Sequence, residues 1–184
     1  MPTIAATQAR VDVAAFRAAM RTFATGVTLV TTAGVGEPCG VTANAFASVS
    51  LTPPLVLVCL SASSSTLREI AANGVFAVNV LGADQEALSR GFASRQRPRG
   101  HDAFREIAHH EAATGAPIVD GVACWMDCRV AGIQPAGDHV IAIGEVVAIG
   151  GDPGRDPLVF HAGRYRLVCD RGAPSSSPGF SERR

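Results

Sequence analysis

The chain has 184 residues, of which 47% are hydrophobic and 5% aromatic, and its formal net charge is zero. This length fits one domain with a substantial core, and the balanced charge gives no electrostatic reason to expect nucleic acid or an anionic membrane as a partner. No apolar run has the length of a spanning helix and no secretory signal is visible, so we expect no membrane association and a cytoplasmic location. The domain is predicted at residues 12–171, between a flexible lead-in at 1–11 and a polar, disordered tail at 172–184.

A helix is predicted at the start of the domain. Asp12 is a candidate N-cap, and the apolar residues Phe16, Met20 and Phe23 follow at the spacing of one helix face, so the helix is expected to run to about Thr25. The β-branched run VTLVTTA predicts a strand after it. The GVGEP turn then predicts a hairpin with residues 39–47 as the partner strand.

The next two elements are a strand and a helix joined by a serine-rich turn. Pro53-Pro54 interrupts ladder hydrogen bonding and marks a corner. Residues 55–60 then form a continuous apolar run, which predicts a strand buried on both faces. Thr66 and Glu69 have the spacing of a capping box, which predicts a short helix ending at Gly74.

The remaining elements are mostly strands. Strands are predicted at 75–81, 122–131, 140–149, 158–161 and 165–169, a helix at 83–92, and an irregular connection at 93–121. A connection of that length is usually functional or mobile. About seven strands and two or three short helices, without βαβ spacing or a G-x-G-x-x-G motif, indicate a mainly β fold. We expect a closed antiparallel barrel decorated with helices.

The five cysteines are scattered along the chain, and Cys124 and Cys128 are the one close pair. No histidine stands near them at zinc-like spacing, and a chain of this size needs no disulfide staples, so we expect buried free thiols. The HHE run at 109–111 lacks the order of the H-E-x-x-H motif. We therefore assign no metal site.

Residues 42–50 are the first candidate for a binding surface. In one continuous strand, Thr42, Asn44, Phe46, Ser48 and Ser50 would share one face, and the other face would carry Ala43, Ala45, Ala47 and Val49. A face of small side chains lets a planar ring lie close to the backbone, where amides and carbonyls can read its edge. An edge strand with a solvated Thr/Asn/Ser face explains the same residues.

The SASSST turn at 61–66 lies between a strand and a helix start, where free N–H groups and the helix dipole favour a phosphate. Its hydroxyl groups add donors, and Arg68 or an arginine of the following loop (Arg95, Arg97 or Arg99) would add charge. A plain helix cap in a serine-rich turn is the alternative explanation.

Gly137-Asp138-His139 is predicted as a tight turn that places an imidazole at the mouth of a strand. Histidine is the natural switchable donor near neutral pH, although a lone histidine there is often a surface or capping residue. No G-x-S-x-G elbow accompanies it, so no nucleophile can be paired with a base from the sequence.

Six segments in order resemble a known family: FRAAMRTFATGVTLVTT, GVTANAFASVSLTPPLVLVCL, the S-x-S-S-S-T turn, FAVNVL, Gly-Asp-His before IAIGEV, and PLVFHAGRYRLV. Together, over roughly residues 16–168, they look like the flavin reductase-like domain, the small reductase component of two-component flavin monooxygenases. The resemblance implies a homodimer of FMN-binding split β-barrels of Greek-key type. Such a protein uses NADH or NADPH to reduce FMN or FAD and passes the reduced flavin to a partner monooxygenase.

The same resemblance implies three groups of contacts. The isoalloxazine ring and ribityl chain would be lined by Thr42, Ala43, Asn44, Ala45, Ser48, Val49 and Ser50, and the phosphate would be held by Ser61, Ser65 and Thr66. Phe92 matches the Phe-Ala before the family's mobile loop, and His139, Arg164 and Tyr165 would contact the nicotinamide nucleotide. Asp102-Ala103-Phe104 has alanine where the family commonly has a basic residue, which leaves Arg97 or Arg99 as the substitute.

Two functions from different classes follow. The first is an NAD(P)H:flavin oxidoreductase in which the protein positions two rings and His139 has an orienting rather than an acid–base role. Backbone amides near Ser48–Ser50 would stabilise charge on the reduced ring. The second is an FMN-binding module, a sensor or electron carrier without turnover of diffusible flavin. A pyridoxamine-phosphate oxidase-like enzyme is a third, weaker interpretation.

Overall fold

The structure, a computed structural model, describes residues 11–33, 37–94, 96–97 and 100–169. Its helices are α1 (Val13–Met20), α2 (Ser65–Asn73), α3 (Glu86–Ala93) and α4 (His101–Phe104). Its strands are β1 (Thr25–Gly26), β2 (Thr28–Thr32), β3 (Cys39–Ala43), β4 (Phe46–Leu51), β5 (Pro54–Ser61), β6 (Val75–Val80), β7 (His109–Glu111), β8 (Pro117–Val119), β9 (Cys124–Ala136), β10 (His139–Gly151), β11 (Val159–His161) and β12 (Arg164–Arg166). The tail predicted at 172–184, the lead-in apart from Val11, and the centre of the GVGEP turn lie outside the described residues.

A seven-stranded antiparallel sheet in the order β3-β2-β6-β9-β10-β5-β4 forms the body of the molecule. A three-stranded sheet, β1-β11-β12, and the small β7-β8 hairpin accompany it. The mainly β prediction is confirmed. The predicted closure of the barrel is wrong for the described strands, since no hydrogen-bonded pairing joins the two edge strands, β3 and β4.

The prediction that residues 42–50 form one strand is also wrong. β3 ends at Ala43 and pairs with β2, whereas β4 begins at Phe46 and pairs with β5, so the two halves lie on opposite edges of the sheet. The link between them is held where the N–H of Cys59 donates to the carbonyl of Ala45 at 2.9 Å. A register shift between Ser48 and Ser50 breaks the alternation again. The predicted common face of Thr42, Asn44, Phe46, Ser48 and Ser50 therefore does not exist.

β5 is buried on one face rather than two. Val56, Val58 and Leu60 point into the core, while the alternate residues Leu55, Leu57 and Cys59 are half-buried. The reason is position, because β5 lies next to the edge strand β4 and its outer face is only partly covered.

Helix α1 begins where the sequence predicts but ends early. Asp12 caps it, since its carboxylate accepts the N–H of Ala15 at 2.9 Å. The helix stops at Met20 instead of Thr25 because Thr25 and Gly26 pair with β11. α1 is described in full and buries none of its residues.

Helix α2 ends as predicted, at Gly74 in the left-handed conformation (φ 69°) that glycine adopts without strain. Its start differs. The N-cap is Ser64, whose hydroxyl accepts the N–H of Leu67, and Thr66 is buried in the first turn. The capping-box prediction centred on Thr66 is therefore wrong by two residues.

The connection at 93–121 is more ordered than the sequence suggests. It contains α4 and the β7-β8 hairpin, and two buried polar residues tie it to the sheet. The carboxylate of Asp127 accepts both the N–H of Thr114 (2.8 Å) and its hydroxyl, and the Asn79 side chain bonds the N–H of Val119 at 2.9 Å. These anchors are invisible to a periodicity analysis because each joins residues far apart in sequence.

Two hydrophobic clusters fill the interior. One lies under the sheet and includes Val58, Ile70 and Phe76; the other lies between the sheet, α3 and α4 and includes Leu29, Phe92 and Phe104. In the described part of the chain, no helix combines the length and apolar composition that crossing a bilayer requires.

Candidate functional site

A groove of about 1120 Å³ separates α1 from one end of the main sheet. We call it the α1 groove. Its lining comes from α1, the β1-β2 region, the β3-β4 link, β5, β6 and β10: Phe16, Arg17, Met20, Phe23, Ala24, Thr25, Gly26, Thr28, Asn44, Ala45, Phe46, Cys59, Val80 and His139. The volume slightly exceeds the range of about 300–1000 Å³ that is usual for small-molecule sites.

Strand pairing brings the predicted nicotinamide contact next to the predicted phosphate turn. His139 opens β10 opposite Ser61, the last residue of β5, and the N–H of Ala62 donates to the carbonyl of Asp138 at 3.0 Å. Residues 78 positions apart in sequence thus meet at one edge of the α1 groove. Asn44 and Ala45 line the same groove from the β3-β4 link.

The turn at 61–66 has the free donors that an anion requires. Of the first N–H groups at this helix end, that of Ser64 bonds the carbonyl of Ser61 and that of Leu67 bonds Ser64 Oγ. The N–H groups of Ser65 and Thr66 remain, as is usual at a helix N-terminus. Ser61 Oγ lies 2.9 Å from Ser63 Oγ, and both side chains are exposed.

The Thr66 hydroxyl is buried and has no hydrogen-bond partner among the described residues. The Cys39 thiol lies beside it. Burial raises the pKa of Cys39, and the Thr66 hydroxyl opposes that rise only in part. The thiol is thus the polar neighbour of a hydroxyl that makes no hydrogen bond of full geometry, and this hydroxyl lies inside the fold rather than at the surface.

His139 and Asp138 form an exposed pair at the groove edge. His139 Nδ1 lies 2.7 Å from Asp138 Oδ1, so in the neutral imidazole Nδ1 carries the proton and Nε2 is the free nitrogen. The hydrogen bond and charge of His139, with a smaller contribution from Arg17, hold the pKa of Asp138 below its ordinary value. The carboxylate therefore stays ionised at neutral pH and fixes the orientation of the imidazole.

Arg164 and Tyr165 lie on β12. The Tyr165 hydroxyl is 2.8 Å from Ser89 Oγ, and the Arg90 guanidinium stacks over the tyrosine ring at 4.7 Å. The phenol is thus engaged with α3, whereas Arg164 is exposed.

Phe92 and Arg97 belong to a different groove, of about 360 Å³, between α3 and α4. Phe92 is buried and its ring centroid is 5.4 Å from that of Phe104, so it is a core residue here. Thr42 faces the same helix, since its hydroxyl donates to the carbonyl of Ser89 at 2.7 Å. Ala43 is buried, and Arg99 lies outside the described residues.

Ser48 and Ser50 line a third groove, of about 340 Å³, on the face formed by β4, β5 and β10. Val49 is exposed beside them. The structure therefore brings Asn44, Ala45 and His139 together in one groove and the 61–66 turn to its edge, but it does not bring Ser48 or Ser50 there within one chain.

The sequence analysis missed the contribution of α1. Phe16, Arg17, Met20 and Phe23 line the α1 groove, and the phenylalanine side chains are more than half exposed. The signal was present in the sequence, because Phe16, Met20 and Phe23 share one apolar face of the predicted helix, but no partner was assigned to that face. A helix that packs on the core buries its apolar face, whereas α1 buries none of its residues and instead forms one wall of the groove.

The cysteines play no part in the α1 groove except Cys59. Burial raises the pKa of Cys124, and it raises that of Cys128 to about 12 with help from the nearby Asp127 charge, so both remain protonated thiols. The expectation of buried thiols is confirmed for Cys128, whereas Cys39, Cys59 and Cys124 are half-buried and Cys169 is exposed. Among the described residues no three His, Cys, Asp or Glu side chains are grouped to hold a metal ion.

Comparison with known proteins gives a consistent result. Residues 20–168 match the family described as Flavin reductase like domain. The chain is 40% identical to the NADH-dependent FAD reductase of Streptomyces globisporus (85% of this chain, 84% of the relative) and 41% identical to the FMN reductase (NADH) RutF of Ancylobacter novellus (84% of each). It is 35% identical to HsaB of Rhodococcus jostii, the reductase subunit of a flavin-dependent monooxygenase (90% and 83%).

Among solved structures, BorF, the flavin reductase component of a bacterial two-component tryptophan halogenase, superposes with a TM-score of 0.81. It is 39% identical, and the alignment covers 87% of this chain and all of that one.

Proposed function

The chain belongs to the flavin reductase like domain family, and on that premise we propose that it uses NADH to reduce FAD or FMN and delivers the reduced flavin to a partner monooxygenase. One observation carries the proposal to the residues: His139 and the Asn44-Ala45 link line one groove, and the pairing of His139 with Ser61 places the 61–66 turn beside it. NADH rather than NADPH is favoured because the two relatives of 40% and 41% identity are named for NADH.

The residues of the α1 groove fit a flavin. In the turn beside the groove, the free N–H groups of Ser65 and Thr66 and the exposed hydroxyl of Ser61 suit its phosphate, while Asn44 and the backbone of Ala45, which line the groove, suit the polar edge of the ring. A bound flavin would supply a hydride acceptor, its N5, for the dihydronicotinamide. The protein contributes orientation: Phe16, Met20 and Phe23 exclude water from one side, and His139, fixed by Asp138, orients the nicotinamide nucleotide.

The other assigned contacts are weaker. Tyr165 is bonded to Ser89 and Phe92 is packed in the core, so we propose supporting roles for these two side chains. The assignments of Thr42, Ala43, Arg97 and Arg164 stay predictions, as do those of Ser48, Val49 and Ser50.

Turnover under air tests the function. The purified chain is mixed with NADH and, in separate runs, FAD, FMN or riboflavin, and the loss of dihydronicotinamide absorbance is followed. We expect fast oxidation that depends on added flavin. A tightly yellow protein that is inert to NADH and NADPH would instead indicate the FMN-binding module, and oxidation of pyridoxamine phosphate would indicate the third interpretation.

We also propose that the chain is a homodimer that meets its partner copy through the β4-β5-β10 face. Four apolar side chains are exposed there: Val49, Leu51, Val147 and Ile149, with Leu51 91% exposed. They surround a groove lined largely by apolar residues. An apolar surface of this kind on a chain without net charge is suited to a self-complementary interface with a second copy.

Placing a charge on this face should separate the dimer. We expect Ile149→Glu to shift the sedimentation coefficient from dimer to monomer at micromolar concentration, because a carboxylate would be buried unpaired in the interface. Leu167→Glu is the matched control, since both side chains are 67% exposed and Leu167 lies outside this groove. A wild-type monomer, or equal effects of both variants, would contradict the proposed interface.

A further inference from the structure

A second groove, of about 730 Å³, runs along the other side of α1 toward the β11-β12 turn. We call it the turn groove. It shares five lining residues with the α1 groove: Phe16, Arg17, Met20, Phe23 and Asn44. The two grooves therefore adjoin each other along α1. Together they exceed what a mononucleotide requires, because the α1 groove alone reaches the usual size of a small-molecule site.

The turn groove carries positive charge. Arg17 and Arg21 lie four residues apart on the same side of α1, and both line it, together with His161. Within the described residues neither arginine has a carboxylate within 4.0 Å, whereas Arg90, Arg105 and Arg155 each pair with one. Asp12, the acidic residue of this groove, caps α1.

Arg21 is held in place by the turn that closes the groove. Its carbonyl accepts the N–H of Ala162 at 3.0 Å, and its guanidinium lies about 3.8 Å from where a β-carbon on Gly163 would be. Gly163 has a φ of 78° and Ala162 a φ of 52°, so the turn is tight and presents small residues to the groove. A guanidinium beside a turn without bulk is accessible to a ligand.

We propose that the turn groove binds the adenosine diphosphate half of a dinucleotide, with Arg21 and Arg17 on its phosphates, while the redox-active half occupies the α1 groove. This rests on the proposed function. Planar guanidinium groups suit phosphate oxygens because they donate two parallel hydrogen bonds. FAD and NADH both carry this half, and FMN does not. Arg21 is accordingly the residue that separates dinucleotides from mononucleotides.

The test compares ligands that differ by the adenylate. Wild type and Arg21→Gln are titrated with FAD, FMN and ADP by calorimetry, and KM is measured for NADH and for reduced nicotinamide mononucleotide. We expect Arg21→Gln to lose ADP binding and to weaken either FAD or NADH about tenfold, with FMN and the reduced mononucleotide unchanged within about twofold. If only FAD binding weakens, the turn groove holds the adenylate of the flavin. If only the KM for NADH rises, it holds the adenylate of the reductant. Arg21→Lys should restore part of the loss.

Arg166→Gln is the matched control, because Arg166 is exposed on β12 and lies outside both grooves. The inference is wrong if wild type does not bind ADP. It is also wrong if Arg21→Gln weakens FAD and FMN binding equally and raises the KM values of NADH and reduced nicotinamide mononucleotide equally. Both results would count against it even if the protein turns over flavin. If ADP binds through Arg21 but NADH and flavin do not react, the subsite holds and the proposed function fails. A changed sedimentation coefficient for Arg21→Gln would show that this groove is an interface between copies, which also overturns the inference.

Discussion

Replacing His139 with alanine is expected to raise the KM for NADH about ten- to a hundredfold and to leave flavin affinity within about twofold. The expected range lies within the roughly 1–3 kcal/mol that leaving a hydrogen-bonding group without its partner costs. His139 lines the α1 groove, and its Nδ1 is bound to Asp138, which leaves Nε2 for the nicotinamide nucleotide. The measurement is steady-state kinetics with NADH varied at saturating flavin, together with flavin titration of the free protein.

His110→Ala is the matched control. His110 Nδ1 also lies 2.7 Å from an aspartate oxygen, that of Asp120, and both histidine side chains are 50% exposed, but His110 is not in the α1 groove. His110→Ala should leave the KM for NADH and the flavin affinity unchanged. If His139→Ala lost flavin affinity and kept the wild-type KM for NADH, the orienting role would be refuted and His139 would have to be assigned to the flavin.

The support that Asp138 gives to His139 depends on pH in a definite direction. The pKa of Asp138 is lowered, so its carboxylate holds the imidazole throughout the neutral range, and this support is lost as pH falls through the lowered pKa. Asp138→Asn removes the charge at all pH values. We expect its KM for NADH to lie between those of wild type and His139→Ala at neutral pH, as measured in the same assay.

Local signals predicted most of the elements correctly. Asp12 caps α1, Gly74 ends α2, and the Gly137-Asp138 turn connects two long strands, because capping and turn chemistry depend on residues a few positions apart. The strand break at 44–45 depends instead on strand pairing. Residues 42–50 alternate well enough for one strand, and only the pairing of β3 with β2 and of β4 with β5 places the two halves on opposite edges.

The same contrast between local signals and tertiary pairing applies to the residues of the site. Asn44, His139 and the 61–66 turn were identified from residue types, and the pairing of His139 with Ser61 brings them together. Arg17 and Arg21 were not identified, because nothing local separates a surface arginine from one that lines a groove. Their role depends on where α1 lies relative to the β11-β12 turn, and that is a tertiary fact.

Gly144→Ala is expected to destabilise the fold by about 1–3 kcal/mol, the usual range for overpacking a core. A β-carbon at Gly144 would lie 2.5 Å from Phe76 Cζ and 2.8 Å from Cys128 Cβ. Phe76 is fully buried, and Cys128 is a strand residue whose β-carbon cannot move without its backbone. The methyl group therefore forces either the ring or the β9-β10 pairing to shift. Urea unfolding at equilibrium measures the loss as a lower midpoint with an unchanged slope.

Gly132→Ala is the matched control in the same hairpin. A β-carbon there meets only Ile143 Cδ1 at 3.9 Å, which is ordinary van der Waals contact, so the reduced chain entropy of the unfolded state should make this variant neutral or slightly more stable. Phe76→Leu gives a second check, because a shorter side chain makes room for the methyl group. In the double variant Gly144→Ala should cost less than it does alone, as contacting residues couple. Equal, independent losses would mean that the ring is not what the methyl group meets, and that the β9-β10 backbone absorbs the strain instead.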